Sequence, residues 1–239
     1  MKMDVLALFP EIIAPALQTG ILKRIQDDGG LSVNVYNLRD WTTDKHKTVD
    51  DYPYGGGAGM ILKPEPIFAA AETLNAESDA QFIFLTPQGI PLTQPMVEAL
   101  SLETHLILIC GRYKGVDERV REKIVTKEIS IGDYVLSGGE IAALVILDAI
   151  ARVLPGALGD FESAHEDSFS KDLLDHPHYT RPADYEGLKV PEVLLSGHHD
   201  NIKKWRYVEA LKRTAQRRPD LLKELELTDE ELAIVNKAK

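Results

Sequence analysis

IGDYVLSGGE, Ile131 to Glu140, stands between the β-branched run TKEIS and the apolar, helix-like segment IAALVILDAIARVLPG, Ile141 to Gly156. A sheet gives way to a helix here, and the first amides of a helix lack partners within it. Gly138 and Gly139 allow dihedrals and close approaches that a Cβ obstructs. A Gly-Gly pair before a helix is more often a tight turn than a ligand site. The other strand ends decide between the two.

Upstream, MKMDVLALFP predicts a buried strand ending at Pro10, and Gly20 to Asp28 predicts a helical segment stopped by Gly29-Gly30. LSVNVYNL, Leu31 to Leu38, alternates as a second strand. QFIFL, Gln81 to Leu85, and HLILIC, His105 to Cys110, are the third and fourth strands, and Thr126 to Ile131 is the fifth. Helices are expected over Pro64 to Ala76, Thr93 to Leu102, and from Asp117 to about Val125. This alternation predicts an α/β fold with a parallel sheet. Thr86 to Gly89, Gly111 to Gly115 and Gly132 to Gly139 each follow a strand of that sheet. Open α/β sheets bind ligands outside such strand ends, which favours a ligand site. No GxGxxG joins the first strand to the first helix, which disfavours an ordinary NAD enzyme.

Arg39 to Met60 is charged and then glycine-rich, and predicts a long exposed loop. Gly55, Gly56, Gly57 and Gly59 suggest an anion cradle, a flexible substrate-covering loop or a permissive turn; the Lys-Ser/Thr ending of a nucleotide-triphosphate loop is missing. Gly156 to Pro191 has little periodicity and reads as a linker. Lys203 to Arg218 is helical, with seven cations against the single acid Glu209 and with Trp205, Tyr207, Val208 and Leu211 interleaved. A solvated basic face and an RNA-binding face both fit that pattern. Thr228 with Glu231 predicts a capping box for a last helix, Asp229 to Lys237, so a small helical carboxyl-terminal domain is expected.

The 239 residues carry a formal charge of −11, yet the basic run shows that the charge is unevenly distributed. A single cysteine, Cys110, argues against a disulfide framework. No long apolar span or secretory leader is recognised; the chain reads as cytoplasmic, without membrane contact. The seven histidines, including the pairs His176/His178 and His198/His199, show no HExxH or comparable spacing, so no metal site is expected. Ser137 and Ser168 lack the setting of an activated serine.

YPYGGGAGM at Tyr52 to Met60, GRYKGVDER at Gly111 to Arg119, IGDYVLSGGE, and EDSF with HPHYTRP at Glu166 to Pro182 together resemble the bacterial tRNA (guanine-N1-)-methyltransferase family, TrmD, of the SPOUT superfamily. They occur in the family's order and span nearly the full chain. The resemblance implies a deep trefoil knot, which periodicity alone would exclude in favour of an ordinary doubly wound sheet. It implies a knotted domain over 1–159, a flexible linker over 160–176 and a mainly helical tRNA-binding domain over 177–239. It also implies a homodimer with composite active sites.

By the same resemblance, bent S-adenosylmethionine is held by Pro87, Gly111, Tyr113, Ser130, Ile131, Tyr134, Leu136, Gly138 and Gly139. Asp167 is the implied general base that removes the N1 proton of guanosine 37, and Arg152 the cation that stabilises charge at O6. Guanosine at position 36 is favoured. Contacts to the anticodon stem-loop are implied for Arg39, His46, Tyr52, Gly57, Met60, Asp175, His178, Lys203 and Arg206. Magnesium dependence is implied without a recognisable ligand set. Lys114 departs from the acidic residue that many members carry near the cofactor, and Trp41 from a more familiar Phe. The alternatives are a SPOUT enzyme acting on another base or on ribose, and a noncatalytic RNA-binding protein.

Overall fold

HLILIC has apolar side chains at every position but its first, the pattern of a strand covered on both faces. In the computed structural model, which describes residues 1–75, 79–157, 167–169 and 172–238, all six residues from His105 to Cys110 are buried. Contacts divide the chain into two compact units, Met1–Gly159 and Asp160–Lys239.

The first unit runs β1 (Lys2–Ala7), α1 (Gly20–Asp27), β2 (Ser32–Asn37), β3 (Asp50–Asp51), β4 (Ile61–Leu62), α2 (Pro64–Asn75), β5 (Gln81–Pro91), α3 (Gln94–Ser101), β6 (His105–Cys110), α4 (Glu118–Lys123), β7 (Lys127–Ser130) and α5 (Glu140–Val153). Five strands form a parallel sheet in the order β2-β1-β6-β5-β7. The α/β expectation therefore holds, with β6 inserted between the earlier strands β1 and β5.

Side chains alternate across the sheet with period two. Met3, Val5, Leu106 and Leu108 join α1, α3 and α5 in one apolar cluster, where Ile146, Leu147 and Ile150 are fully buried. Leu6, Leu8, Ile107 and Ile109 join α2 and α4 in the other. Each such side chain contributes about 1.5–3 kcal/mol of transfer free energy relative to exposure. Two helical layers thus clamp the sheet and leave its strand ends for other work.

Several elements differ from expectation. Thr86 to Gly89 does not end the third strand: β5 continues to Pro91, and Ile129 of β7 pairs with both Leu85 and Ile90. The four residues bulge out of the ladder and the strand then resumes. The long loop carries structure of its own, a 3₁₀ turn at Leu38–Trp41 and the β3–β4 ladder. Trp41 packs edge-on to Tyr36, with centroids 5.6 Å apart. Ala76, at the end of the expected α2, lies outside the described residues.

The second unit contains β8 (Asp184–Tyr185), β9 (Leu188–Lys189), α6 (Glu192–Leu195), α7 (His199–Arg217) and α8 (Asp229–Ala238). Leu173, Ala210 and Leu211 form its buried centre, with Leu222, Leu225 and Ile234 packed against them. The Thr228 amide donates to Glu231 Oε2 at 2.8 Å and the Glu231 amide to Thr228 Oγ1 at 3.4 Å, the expected capping box. Of the expected linker, residues 160–166 and 170–171 lie outside the described residues.

Candidate functional site

The carboxyl ends of β6, β5 and β7 are neighbours in the sheet, so the segments leaving them converge. They enclose a cavity of about 640 Å³. Pro87, Gly111, Tyr113, Ser130, Ile131, Tyr134, Leu136, Gly138 and Gly139 all line it. That size suits one small organic ligand.

Close approach, rather than unusual backbone, explains Gly138 and Gly139: neither has a positive φ. A Cβ on Gly139 would lie 2.7 Å from Cys110 Cα and 3.0 Å from the Gly111 amide nitrogen. The Gly139 N–H donates to the Gly111 carbonyl at 2.8 Å, and Arg112 and Gly138 form an antiparallel bridge. The stretch before α5 is thereby tied to the segment leaving β6. Gly89 serves the re-entry of the β5 bulge, where a Cβ would meet the Ile129 amide nitrogen at 2.5 Å.

Hydroxyl groups shape the opposite wall. Ser130 Oγ donates to the Gly132 carbonyl at 3.1 Å, and the Tyr134 hydroxyl donates to the Ile131 carbonyl at 3.1 Å. Tyr113 adopts φ +58°, turning the chain so that the Lys114 amide donates to the Met60 carbonyl at 3.0 Å. The Leu62 amide donates to Gly115 and the Asp117 amide to Leu62. These bonds join the end of the glycine-rich loop to the cavity wall. Gly55, Gly56 and Gly57 have successive positive φ values, a permissive turn rather than the alternation of an anion-binding nest.

Three charged residues lining the cavity escaped the sequence reading of its wall. Arg121 donates from Nη1 to Gln88 Oε1 at 2.9 Å and grips Glu128 with Nε and Nη2 at 2.9 and 2.7 Å, so it braces the β5 bulge. The Glu128 contact, with Glu118 nearby, raises its pKa further against the opposing effect of burial. Arg112 lies over the Phe9 ring at 4.2 Å and faces Glu140 at 3.5 Å. Arg112 Nε and Glu140 Oε1 are buried without a hydrogen bond. The third, Glu118, alone carries a carboxylate among the lining residues. The quoted GRYKGVDER motif held the signal for Arg112 and Glu118, but periodicity cannot tell which cation turns inward. Burial pushes the Cys110 thiol well up, so this cysteine is a packing residue.

The remaining candidates are dispersed. Arg39 Nη1 donates to the Leu8 carbonyl at 3.0 Å, which holds it against the sheet. His46 is exposed in a turn organised by Asp44, which accepts from the amides of His46 and Thr48. Tyr52 is largely exposed, and Met60 is half-buried beside Lys114. Arg152 is exposed in the last turn of α5.

In the second unit Asp167 is partly buried and precedes Ser168, whose Oγ accepts the Asp175 amide at 3.0 Å. Glu166 lies outside the described residues. Asp175 accepts from His178 Nε2 at 2.6 Å, and Lys203 and Arg206 are exposed on α7. Burial opposes ionisation of Asp175, but the His178 and His176 contacts outweigh it and hold its carboxyl below the usual range. Among the described residues, no helix is long and apolar enough to cross a membrane.

A family model described as tRNA (Guanine-1)-methyltransferase TrmD matches residues 1–224. A Dictyoglomus turgidum protein named tRNA (guanine-N(1)-)-methyltransferase is 54% identical over 239 residues, covering 100% of this chain and 97% of its own. Bacillus cereus and Bacillus anthracis proteins of the same name are each 55% identical over 233 residues, covering 97% of this chain and 96% of theirs.

Proposed function

This chain belongs to the tRNA (guanine-1)-methyltransferase TrmD family, and from that premise we propose that it methylates N1 of guanosine 37 in tRNA, favouring guanosine at position 36, with S-adenosylmethionine as methyl donor. The observation that carries the proposal is the convergence of three strand-end segments on one cavity lined by all nine expected donor-binding residues. The donor fits: the cavity has a suitable volume, and its glycine wall leaves no room for a Cβ at Gly139. Backbone groups around Gly111, Ile131 and Gly138 would hold it, with Tyr113 and Leu136 supplying apolar surface. When bound, the donor supplies a methyl group whose bond to positively charged sulfur breaks as the bond to N1 forms.

The chain's own task is to make guanine N1 nucleophilic. N1 bears a proton at neutral pH, so its lone pair becomes free only as that proton leaves. Asp167 accepts the proton on its carboxylate, and Arg152 offsets the negative charge that develops on O6. A carboxylate is intrinsically a weak base, so the two roles depend on each other. Positioning supplies much of the remaining acceleration. The Asp167 assignment rests on the EDSF and HPHYTRP match and on the turn in which Ser168 is bonded to Asp175.

We extend the proposal to a knotted SPOUT topology, supported by the family match, and to a homodimer with composite sites. Val135 before the glycine pair and Ile141 and Val145 after it project apolar surface outward, which suits a partner subunit. Exposed Lys203, Lys204 and Arg206 on α7 suit RNA phosphates, so binding should weaken with salt. Magnesium does not fit the cavity, because Glu118 is its lone lining carboxylate and already faces Arg121; no step is assigned to it.

Labelled S-adenosylmethionine incubated with paired tRNAs differing at positions 36 and 37 tests the reading. Transfer should require guanosine 37 and fall when guanosine 36 is replaced. Labelling that persists without guanosine 37 would overturn it.

A further inference from the structure

Far along the sequence from the donor cavity, the second unit concentrates metal-ligating side chains in one short segment. Asp175, His176 and His178 place their ligand atoms within 4.8 Å of one another. Asp175 Oδ1 lies 2.7 Å from His176 Nδ1, and Oδ2 lies 2.6 Å from His178 Nε2. The two imidazoles have centroids 4.3 Å apart at a 45° tilt. The two histidines stand two residues apart, and each places a ring nitrogen against Asp175.

The segment is held by its surroundings. The Leu174 amide donates to Thr214 Oγ1 on α7 at 2.9 Å, and the Asp175 amide donates to Ser168 Oγ at 3.0 Å. Arg213 Nη1 reaches the Asp175 carbonyl at 3.3 Å, while Trp205 meets the His176 ring edge-on at 6.4 Å. Three donor groups on a pinned backbone pay little ordering cost when an ion arrives.

We propose that Asp175, His176 and His178 form a binding site for a divalent transition cation of the zinc class. Two imidazole nitrogens and one carboxylate oxygen suit Zn²⁺, Co²⁺ or Ni²⁺, whereas Mg²⁺ prefers an octahedron of oxygens. The His176 side chain is 10% exposed and that of His178 66%, so the ion has protein on one side and water on the other.

Each imidazole nitrogen lies within hydrogen-bond distance of an Asp175 oxygen. The cation takes the place of both contacts. A neutral ring then carries its proton on the other nitrogen, while a protonated ring must release one, so binding weakens as the histidines become charged. The sequence expectation of no metal site rested on the distance of the single cysteine and on the lack of HExxH or comparable spacing. The proposal departs from it on the placement of Asp175 beside both imidazoles.

The test uses the full chain, stripped with chelator and titrated with Co²⁺ while visible absorption is recorded. One equivalent should give the intense bands of low-coordinate cobalt, abolished by Zn²⁺ and untouched by excess Mg²⁺. His176→Gln and His178→Gln should each weaken binding roughly tenfold or more and lose the bands. Exposed His178 makes H178Q the variant least able to disturb folding, and circular dichroism verifies that. A spectrum equal to aqueous cobalt, or unchanged binding in H178Q, would overturn the assignment. Methyl transfer by the chelated enzyme is scored separately, so loss of this site leaves the donor-cavity reading intact.

Discussion

Gly139 donates its amide to the carbonyl of Gly111 at 2.8 Å, across 28 residues of sequence, and this bond closes the cavity wall on the segment leaving β6. The backbones approach so closely that a side chain has nowhere to go. Gly139→Ala should therefore displace the wall, costing about 1–3 kcal/mol of stability through overpacking. Calorimetric titration with S-adenosylmethionine should show donor affinity reduced more than tRNA affinity. Unchanged donor binding would mean that the wall plays no part in holding it.

Asp167→Asn retains shape but removes the proton acceptor. Turnover should fall roughly 10²–10⁴-fold, with donor affinity unchanged. Arg152→Ala should lower kcat by about 10²–10³-fold through loss of charge stabilisation. Single-turnover methylation with saturating donor separates these losses from binding. Parent-like rates in either variant would remove that residue from the chemistry.

Tyr207 donates its hydroxyl to Glu231 at 2.5 Å, and this bond, with burial and the nearby charge, pushes its pKa up to about 12. A raised tyrosine pKa means that the folded chain holds the proton more tightly. The contribution is fully present below the unfolded value near 10 and is lost as pH rises toward about 12. Alkaline ultraviolet titration should reveal one late phenolate, absent in Tyr207→Phe, and that variant should show a weaker alkaline loss of stability.

Asp4 is fully buried at the start of β1 and accepts from Asn34 Nδ2 at 2.8 Å, with His105 Nε2 and Lys2 Nζ both 2.9 Å from Oδ2. Replacing His105 by Ala removes one side of that buried network and leaves a carboxylate short of partners. Destabilisation of about 3–5 kcal/mol is expected in urea unfolding. Donor binding at the opposite strand ends should persist under native conditions. A cost near zero would show that Asn34 and Lys2 suffice.

What was legible in the chain followed local physics. HLILIC announced a central strand because both sheet faces are covered, and Thr228 with Glu231 announced a helix start because a capping box spans three residues. The return of β5 into its ladder was illegible, because Ile90 finds Ile129 only when the sheet is assembled. Arg112 and Arg121 were likewise hidden: their orientation depends on Phe9 and Gln88, far away in sequence. The nine expected cavity residues came from resemblance rather than periodicity, and the fold brings them to one cavity. Asp175 and the two histidines were readable as neighbours, but not as groups within hydrogen-bond distance.

The β5 bulge has a kinetic consequence. Residues 86–89 leave and re-enter the same ladder, so a molecule resting on them leans on the edge pairing of β7 as well. A donor bound as proposed should act as a clasp across that seam, with its escape expected to follow transient unzipping of Ile90 and Pro91 from Ile129 and Ser130. Amide exchange at Ile129 should slow in proportion to donor occupancy.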